Sequence, residues 1–279
     1  LPKNVTCRRV NGTISPGFLD LQVNGGGGIL LNADPTASGI AAIALAHRKF
    51  GTRAIMPTVI TDRPEVLKLA EVAAIAARDS PHFLGLHIEG PHIHSAKRGT
   101  HALHYIRPLE ETTMAGVANL LANGVRVLIT LAPEAATLDQ IGQLVQLGAT
   151  VSLGHSGADS KEAQKAFAAG AQGVTHLFNA MSPMTSREPG LVGAALNAGV
   201  YAGIICDGFH VADEMIALAY RAAKRPDRMY LVSDAMPTVC GGDSFNLYGA
   251  EIRLNDGRLI NAEGNLAGAH TTQSHSVFG

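Results

Sequence analysis

Tryptophan is absent, and aromatic residues fill only 5% of the 279 positions. Cysteine is scarce: Cys7, Cys206 and Cys240 form no CxxC. That spacing excludes a disulfide framework and a cysteine-built zinc site, and it fits a reducing cytoplasm. Charged residues amount to 16% and the net charge is -1, so no basic surface marks nucleic acid as a main partner. No apolar run approaches the ~18 residues of a membrane span, and the N-terminal stretch lacks a signal-peptide pattern. With 46% apolar residues and a mean hydropathy of +0.14, the chain can bury a large core, which excludes disorder. Glycine (31) and proline (13) punctuate the whole length, and 12 histidines stand against 22 Lys and Arg. So many imidazoles among so few aromatics point to metal or proton chemistry.

Eight short apolar runs read as strands: Phe18–Val23, Thr52–Met56, Phe83–Ile88, Val125–Leu131, Thr150–Leu153, Gly173–His176, Tyr201–Cys206 and Arg228–Ser233. Helical spacing fills the intervals, as in Ala37–Phe50, Pro64–Arg78, Leu109–Ala122, Leu138–Leu147, Ser160–Ala169, Gly190–Ala198 and Val211–Lys224. Asp159 precedes one helix start, and Gly51, Gly124, Gly148 and Gly170 follow helix ends. Eight βα units with strands apolar on nearly every residue predict an α/β fold, a (β/α)8 TIM barrel. A doubly wound sheet would carry a GxGxxG after its first strand. Gly25–Gly28 lacks that spacing and reads as a mobile loop. The predicted organisation is a β-sandwich fragment over 1–15, the barrel over 16–240, a β insertion over 241–268 and the start of the last barrel helix over 269–279. The insertion reads as two or three short strands with turns: Asn246–Leu254, the turn Asn255–Gly257, then Arg258–Ile260. Both chain ends are expected to continue beyond the residues given.

Barrel chemistry sits at the C-terminal ends of strands. Glu89 follows the third run, His155 the fifth, His176 the sixth and Asp234 the eighth. A carboxylate and two imidazoles with an open position suit one catalytic divalent metal, zinc being the usual occupant. Asp234 is the candidate proton shuttle for a metal-activated water. Each residue alone has a plainer role in capping or hydrogen bonding; the shared address favours the metal set. Arg187, after the sixth strand, is a candidate anion fork. The Lys97–His101 stretch meets an anionic substrate or is a solvated basic loop. His92 and His94 read as loop residues and not ligands, and His47 and His82 as surface residues.

At these positions the chain resembles the N-acetylglucosamine-6-phosphate deacetylase family of the amidohydrolase superfamily. The matching segments include PGFLDLQVNG (16–25), LGLHIEGP (84–91), KRGTH (97–101), LAPE (131–134), SLGHS (152–156), THLFNAM (175–181), REPGL (187–191), DGFH (207–210), VSDA (232–235) and GNLAG (264–268). The resemblance implies a metal-dependent TIM barrel with a small β-sandwich, incomplete here at both chain ends. It implies hydrolysis of the acetamide of N-acetyl-D-glucosamine 6-phosphate in amino-sugar catabolism. Glu89, His155 and His176 match its metal ligands and Asp234 its general acid/base. Asn179, Ala180, Arg187, His210, His101, Leu266 and Gly268 match substrate contacts. One divalent ion is implied, zinc first, with iron or another divalent metal as alternatives. A cytoplasmic homodimer is implied, with a neighbouring subunit helping to hold the phosphate. Where many amidohydrolases carry HxH on the first strand, this chain has Gln22 and Asn24, poor zinc ligands, which indicates the single-metal branch. The alternatives are another amidohydrolase, acting on a cyclic amide or a different N-acyl amino sugar, and a non-catalytic sugar-phosphate-binding barrel.

Overall fold

The computed structural model describes Thr6, Asn11 and residues 15–278. The first half runs β1 (Phe18–Val23), β2 (Gly25–Gly26), β3 (Ile29–Leu30), α1 (Ala37–Arg48), β4 (Thr52–Ile60), α2 (Pro64–Ala77) and β5 (Leu86–Glu89). Then come α3 (Glu111–Ala122), β6 (Val127–Leu131), α4 (Leu138–Leu147), β7 (Thr150–Leu153), α5 (Ser160–Ala168) and β8 (Gly173–Val174). After α6 (Gly190–Ala198), β9 (Tyr201–Ile204), α7 (Asp213–Ala222) and β10 (Met229–Leu231) the chain leaves the repeat. It adds β11 (Ser244–Leu247), β12 (Ala250–Asn255), β13 (Arg258–Ile260), β14 (Leu266–Ala269) and α8 (Gln273–Phe278).

Eight strands pair in parallel in the order β1-β4-β5-β6-β7-β8-β9-β10. The first and last meet through a parallel bridge between Val23 and Ala235 and the bond from Asp234 N–H to Gln22 O at 3.0 Å. Asp20 adds to this seam: its Oδ1 accepts from the amides of Gln22 at 3.3 Å and Ser233 at 3.2 Å. The eight-stranded barrel expected from the apolar runs is therefore present. Every residue of β5 and of β6 is buried, as strands covered on both faces should be. Ile43, Ile55, Leu120, Ile129, Leu144 and Leu153 anchor the main core. Local signals set the helix ends. Thr137 with Gln140, and Asp159 with Glu162, form capping boxes at α4 and α5, and Gly148 ends α4 in the left-handed region.

Several boundaries and assignments differ from expectation. Gly25–Gly28 is no loose loop: Gly25 and Gly26 pair antiparallel with Leu30 and Ile29. A Cβ at Gly25 would strike the Ile29 carbonyl and lie 2.8 Å from Pro237 N, so glycine serves close backbone approach here. Segment 246–254 holds two strands, because the chain reverses at Tyr248 and Gly249. The insertion holds four strands and not two or three, and β11 to β14 form an antiparallel sheet apart from the barrel sheet. The sixth and eighth strands are shorter than their apolar runs. His47 is fully buried, its Nε2 3.0 Å from Gly25 O, and is not a surface residue. The β-like reading of segment 3–15 falls almost wholly outside the described residues.

Candidate active site

The strand register carries the site. Ile60 of β4 pairs with Glu89, and Glu89 with Thr130 of β6. β7 and β8 run alongside and stop just short of His155 and His176. At those ends the backbone turns sharply: φ is 48° at His155, 36° at His176 and 51° at Asp234. The left-handed region is costly for residues with a Cβ and clusters at functional sites.

These turns aim the side chains at one point. One ligand atom from each of Glu89, His155 and His176 lies within 4.8 Å of the others, and all three residues are buried. His176 Nε2 is 3.0 Å from Glu89 Oε1 and 3.0 Å from His155 Nε2. His155 Nε2 is 3.3 Å from the same carboxylate oxygen. The protons on His155 can be assigned. Its Nδ1 lies 2.9 Å from Lys97 O, which only accepts, so Nδ1 carries the hydrogen. A neutral His155 then presents an Nε2 lone pair to a carboxylate and to a second imidazole nitrogen. That is repulsive unless a cation lies between them, so the donor set fits a divalent ion. Burial works to raise the Glu89 pKa, but the two imidazoles beside it, His155 and His176, prevail and hold it well below the usual carboxylate range.

Asp234 faces this triad. Its Oδ1 accepts from Gln22 Nε2 at 3.1 Å and Asn24 Nδ2 at 2.6 Å. Gln22 also donates to Glu89 Oε1 at 3.1 Å. Gln22 thus bridges the two carboxylates as a donor and Asn24 holds Asp234, a task HxH imidazoles ligating a second metal would not perform. Burial first, and the Glu89 charge second, raise the Asp234 pKa to about 7. A carboxyl poised there can exchange a proton near neutrality.

A cavity of about 570 Å³ opens over this cluster. Asn24, Lys97, Arg98, His101, Asn179, Ala180, His210, Leu266 and Gly268 line it with the triad and Asp234. Arg187 is exposed on the 182–189 loop and is not among the lining residues. His92 is tied to Thr113 Oγ1 and Arg107 O, away from the triad. Burial drives the His101 ring down to about 3, so it is neutral.

The sequence reading missed several neighbours of these groups. Asp207 Oδ2 lies 2.7 Å from His210 Nδ1 and orients that ring. Glu134 takes the Ser156 hydroxyl and the Gly157 amide and pins the loop after His155. Arg98 meets Glu263 at 2.9 Å, tying the 95–101 loop to the turn between β13 and β14. LAPE and DGFH contained two of these residues; nothing in the sequence marked Glu263.

Comparison with known proteins identifies the lineage. No family model matches the chain. N-acetylgalactosamine-6-phosphate deacetylase of Shewanella sp. is 46% identical over 275 residues, 97% of this chain and 67% of that protein. N-acetylglucosamine-6-phosphate deacetylase of Haemophilus influenzae is 35% identical over 271 residues, 95% of this chain and 70% of that protein. The chain belongs to the N-acetylglucosamine-6-phosphate deacetylase family. The family enzyme from Pasteurella multocida superposes with a TM-score of 0.89 at 37% identity, covering 94% of this chain and 69% of that one. A mutant family enzyme from Mycobacterium smegmatis, solved with N-acetyl-D-glucosamine-6-phosphate, gives 0.86 at 30% identity over 94% and 69%. The chain thus spans about two thirds of the length of these family members. Among the described residues no helix is long and apolar enough to cross a membrane.

Proposed function

We propose that this protein hydrolyses the acetamide of N-acetyl-D-glucosamine 6-phosphate to D-glucosamine 6-phosphate and acetate, a step of amino-sugar catabolism. The observation that carries the reading is the buried convergence of Glu89, His155 and His176 opposite an aspartate poised near neutrality. Those three residues would hold one divalent ion, zinc by preference for a nitrogen and oxygen set. When bound, such an ion lowers the pKa of water toward ~7 and draws electron density from an amide carbonyl.

The remaining steps belong to the chain. Asp234, oriented by Gln22 and Asn24, accepts a proton as water adds to the acetamide carbon. It then delivers that proton to the sugar nitrogen as the C–N bond breaks, leaving amine and acetate. His101 and His210 border the reacting group, and Asn179, Ala180, Leu266 and Gly268 border the sugar. Arg187, exposed on its loop, suits a phosphate presented by a second copy in a homodimer. Three cysteines without CxxC support a reducing, cytoplasmic setting.

The 46% identity to the N-acetylgalactosamine-6-phosphate enzyme supports a second reading, that the C4 epimer is the substrate. Acetate release from each epimer, with and without a chelator and after metal restoration, tests both readings. Turnover of the glucose epimer at higher kcat/KM supports the first and the opposite order the second. Release from neither, at full metal occupancy, ends both.

A further inference from the structure

We propose that Thr61 is a positioning residue whose hydroxyl donates to His101 Nδ1 and so fixes His101 with its Nε2–H directed into the sugar cavity. This rests on the deacetylase reading above for what the Nε2–H serves, though not for the tautomer itself. Thr61 follows directly on β4 and is fully buried. Its Oγ1 lies 2.7 Å from His101 Nδ1 and has no other hydrogen-bond partner among the described residues.

Two assignments satisfy that distance, and the surroundings separate them. If the ring donates, the Thr61 hydroxyl proton is left without an acceptor in a closed space. The space is tight: a Cβ at Gly90 would collide with Thr61 Oγ1, so the glycine of the HIEGP segment leaves room for this hydroxyl. If the hydroxyl donates, both groups are satisfied, and the ring proton must reside on Nε2. Among the described residues Nε2 has no hydrogen-bond partner, while the ring lines the cavity and packs 4.4 Å, centroid to centroid, from His155. A donor is thereby held beside the metal ligands.

The other cavity imidazoles differ. His155 Nδ1 faces a carbonyl and His210 Nδ1 a carboxylate, both acceptors only, so each is driven to carry its hydrogen there. His176 Nδ1 has no partner among the described residues. His101 alone among them is given a neighbour able to donate. Thr61 is itself held, since the Tyr248 hydroxyl, from the turn between β11 and β12, donates to its carbonyl. The antiparallel sheet thus reaches the catalytic cavity through Tyr248, Thr61 and His101 in series.

The test is 15N NMR of histidine-labelled, zinc-loaded protein, paired with kinetics on the better of the two epimeric sugar phosphates. We expect the His101 signals to show an unprotonated Nδ1 and a protonated Nε2. Thr61→Val, near equal in volume, should lose that preference and at least about tenfold in kcat/KM, at unchanged zinc content. Thr61→Ser should restore both. A protonated Nδ1 in the wild-type protein overturns the proposal even if a variant fails to fold. So does a Thr61→Val protein of normal kcat/KM, or a serine variant no better than valine. If the wild-type protein releases acetate from neither sugar, the deacetylase reading fails while the NMR result still decides the tautomer.

Discussion

Asp234 must be ionised to accept a proton, yet burial and the neighbouring Glu89 lift its pKa to about 7. The rate therefore falls as pH drops through this range. In the metal-loaded protein the acid limb of kcat/KM should lie at or below about 7, because a cation in the triad favours the carboxylate. Asp234→Asn keeps an oxygen for the Gln22 and Asn24 amides but cannot take the proton. Turnover should fall by about 10²–10⁴-fold with metal content unchanged; a variant of near-normal rate would remove Asp234 from the chemistry. Glu89, His155, His176 and Asp234 were legible in the sequence because each sits at the same address, one strand end apiece. Thr61 and Asp207 were not. Their meaning lies in which ring nitrogen they meet, at 2.7 Å in both cases, and spacing along a chain carries no such information.

Strand and helix patterning decided most elements, and caps decided their ends. Thr137→Ala removes the side-chain half of the α4 capping box, the hydroxyl that accepts from the Gln140 amide, and should cost about 1 kcal/mol in a urea melt. The barrel seam has no comparable sequence signal. There, Asp20 Oδ1 takes the amides of Gln22 in β1 and of Ser233 just beyond β10, while Oδ2 has no partner among the described residues. Asp20→Ala strands both N–H groups, and its expected cost is about 1–3 kcal/mol. Burial raises the Asp20 pKa, so its contribution is complete at low pH and is lost as pH climbs through the raised value. Asp20→Asn keeps the acceptor without the charge; melts across pH should find its stability relative to wild type rising toward alkaline pH. The turn at Tyr248 stayed hidden because tyrosine, here at φ 53°, is no usual turn former.

The molecule as a whole is joined through its cavity. The Arg98–Glu263 pair and the Tyr248–Thr61 bond tie the antiparallel sheet to the barrel mouth, contacts between segments far apart in sequence that no periodicity announces. The triad should also couple metal to folding, since the unfolded chain cannot assemble it. Chelation should lower the melting temperature by several degrees and re-addition restore it; at a hundredfold excess over Kd the expected gain is about 2.7 kcal/mol. A melt indifferent to chelator would mean that Glu89, His155 and His176 hold no ion. His155, His176 and Asp234 have one more consequence for the whole fold. Each occupies a backbone conformation that glycine adopts without penalty. A search for hardier variants, scored only by survival on heating, would drift toward glycine at these corners and select well-folded barrels with no chemistry left.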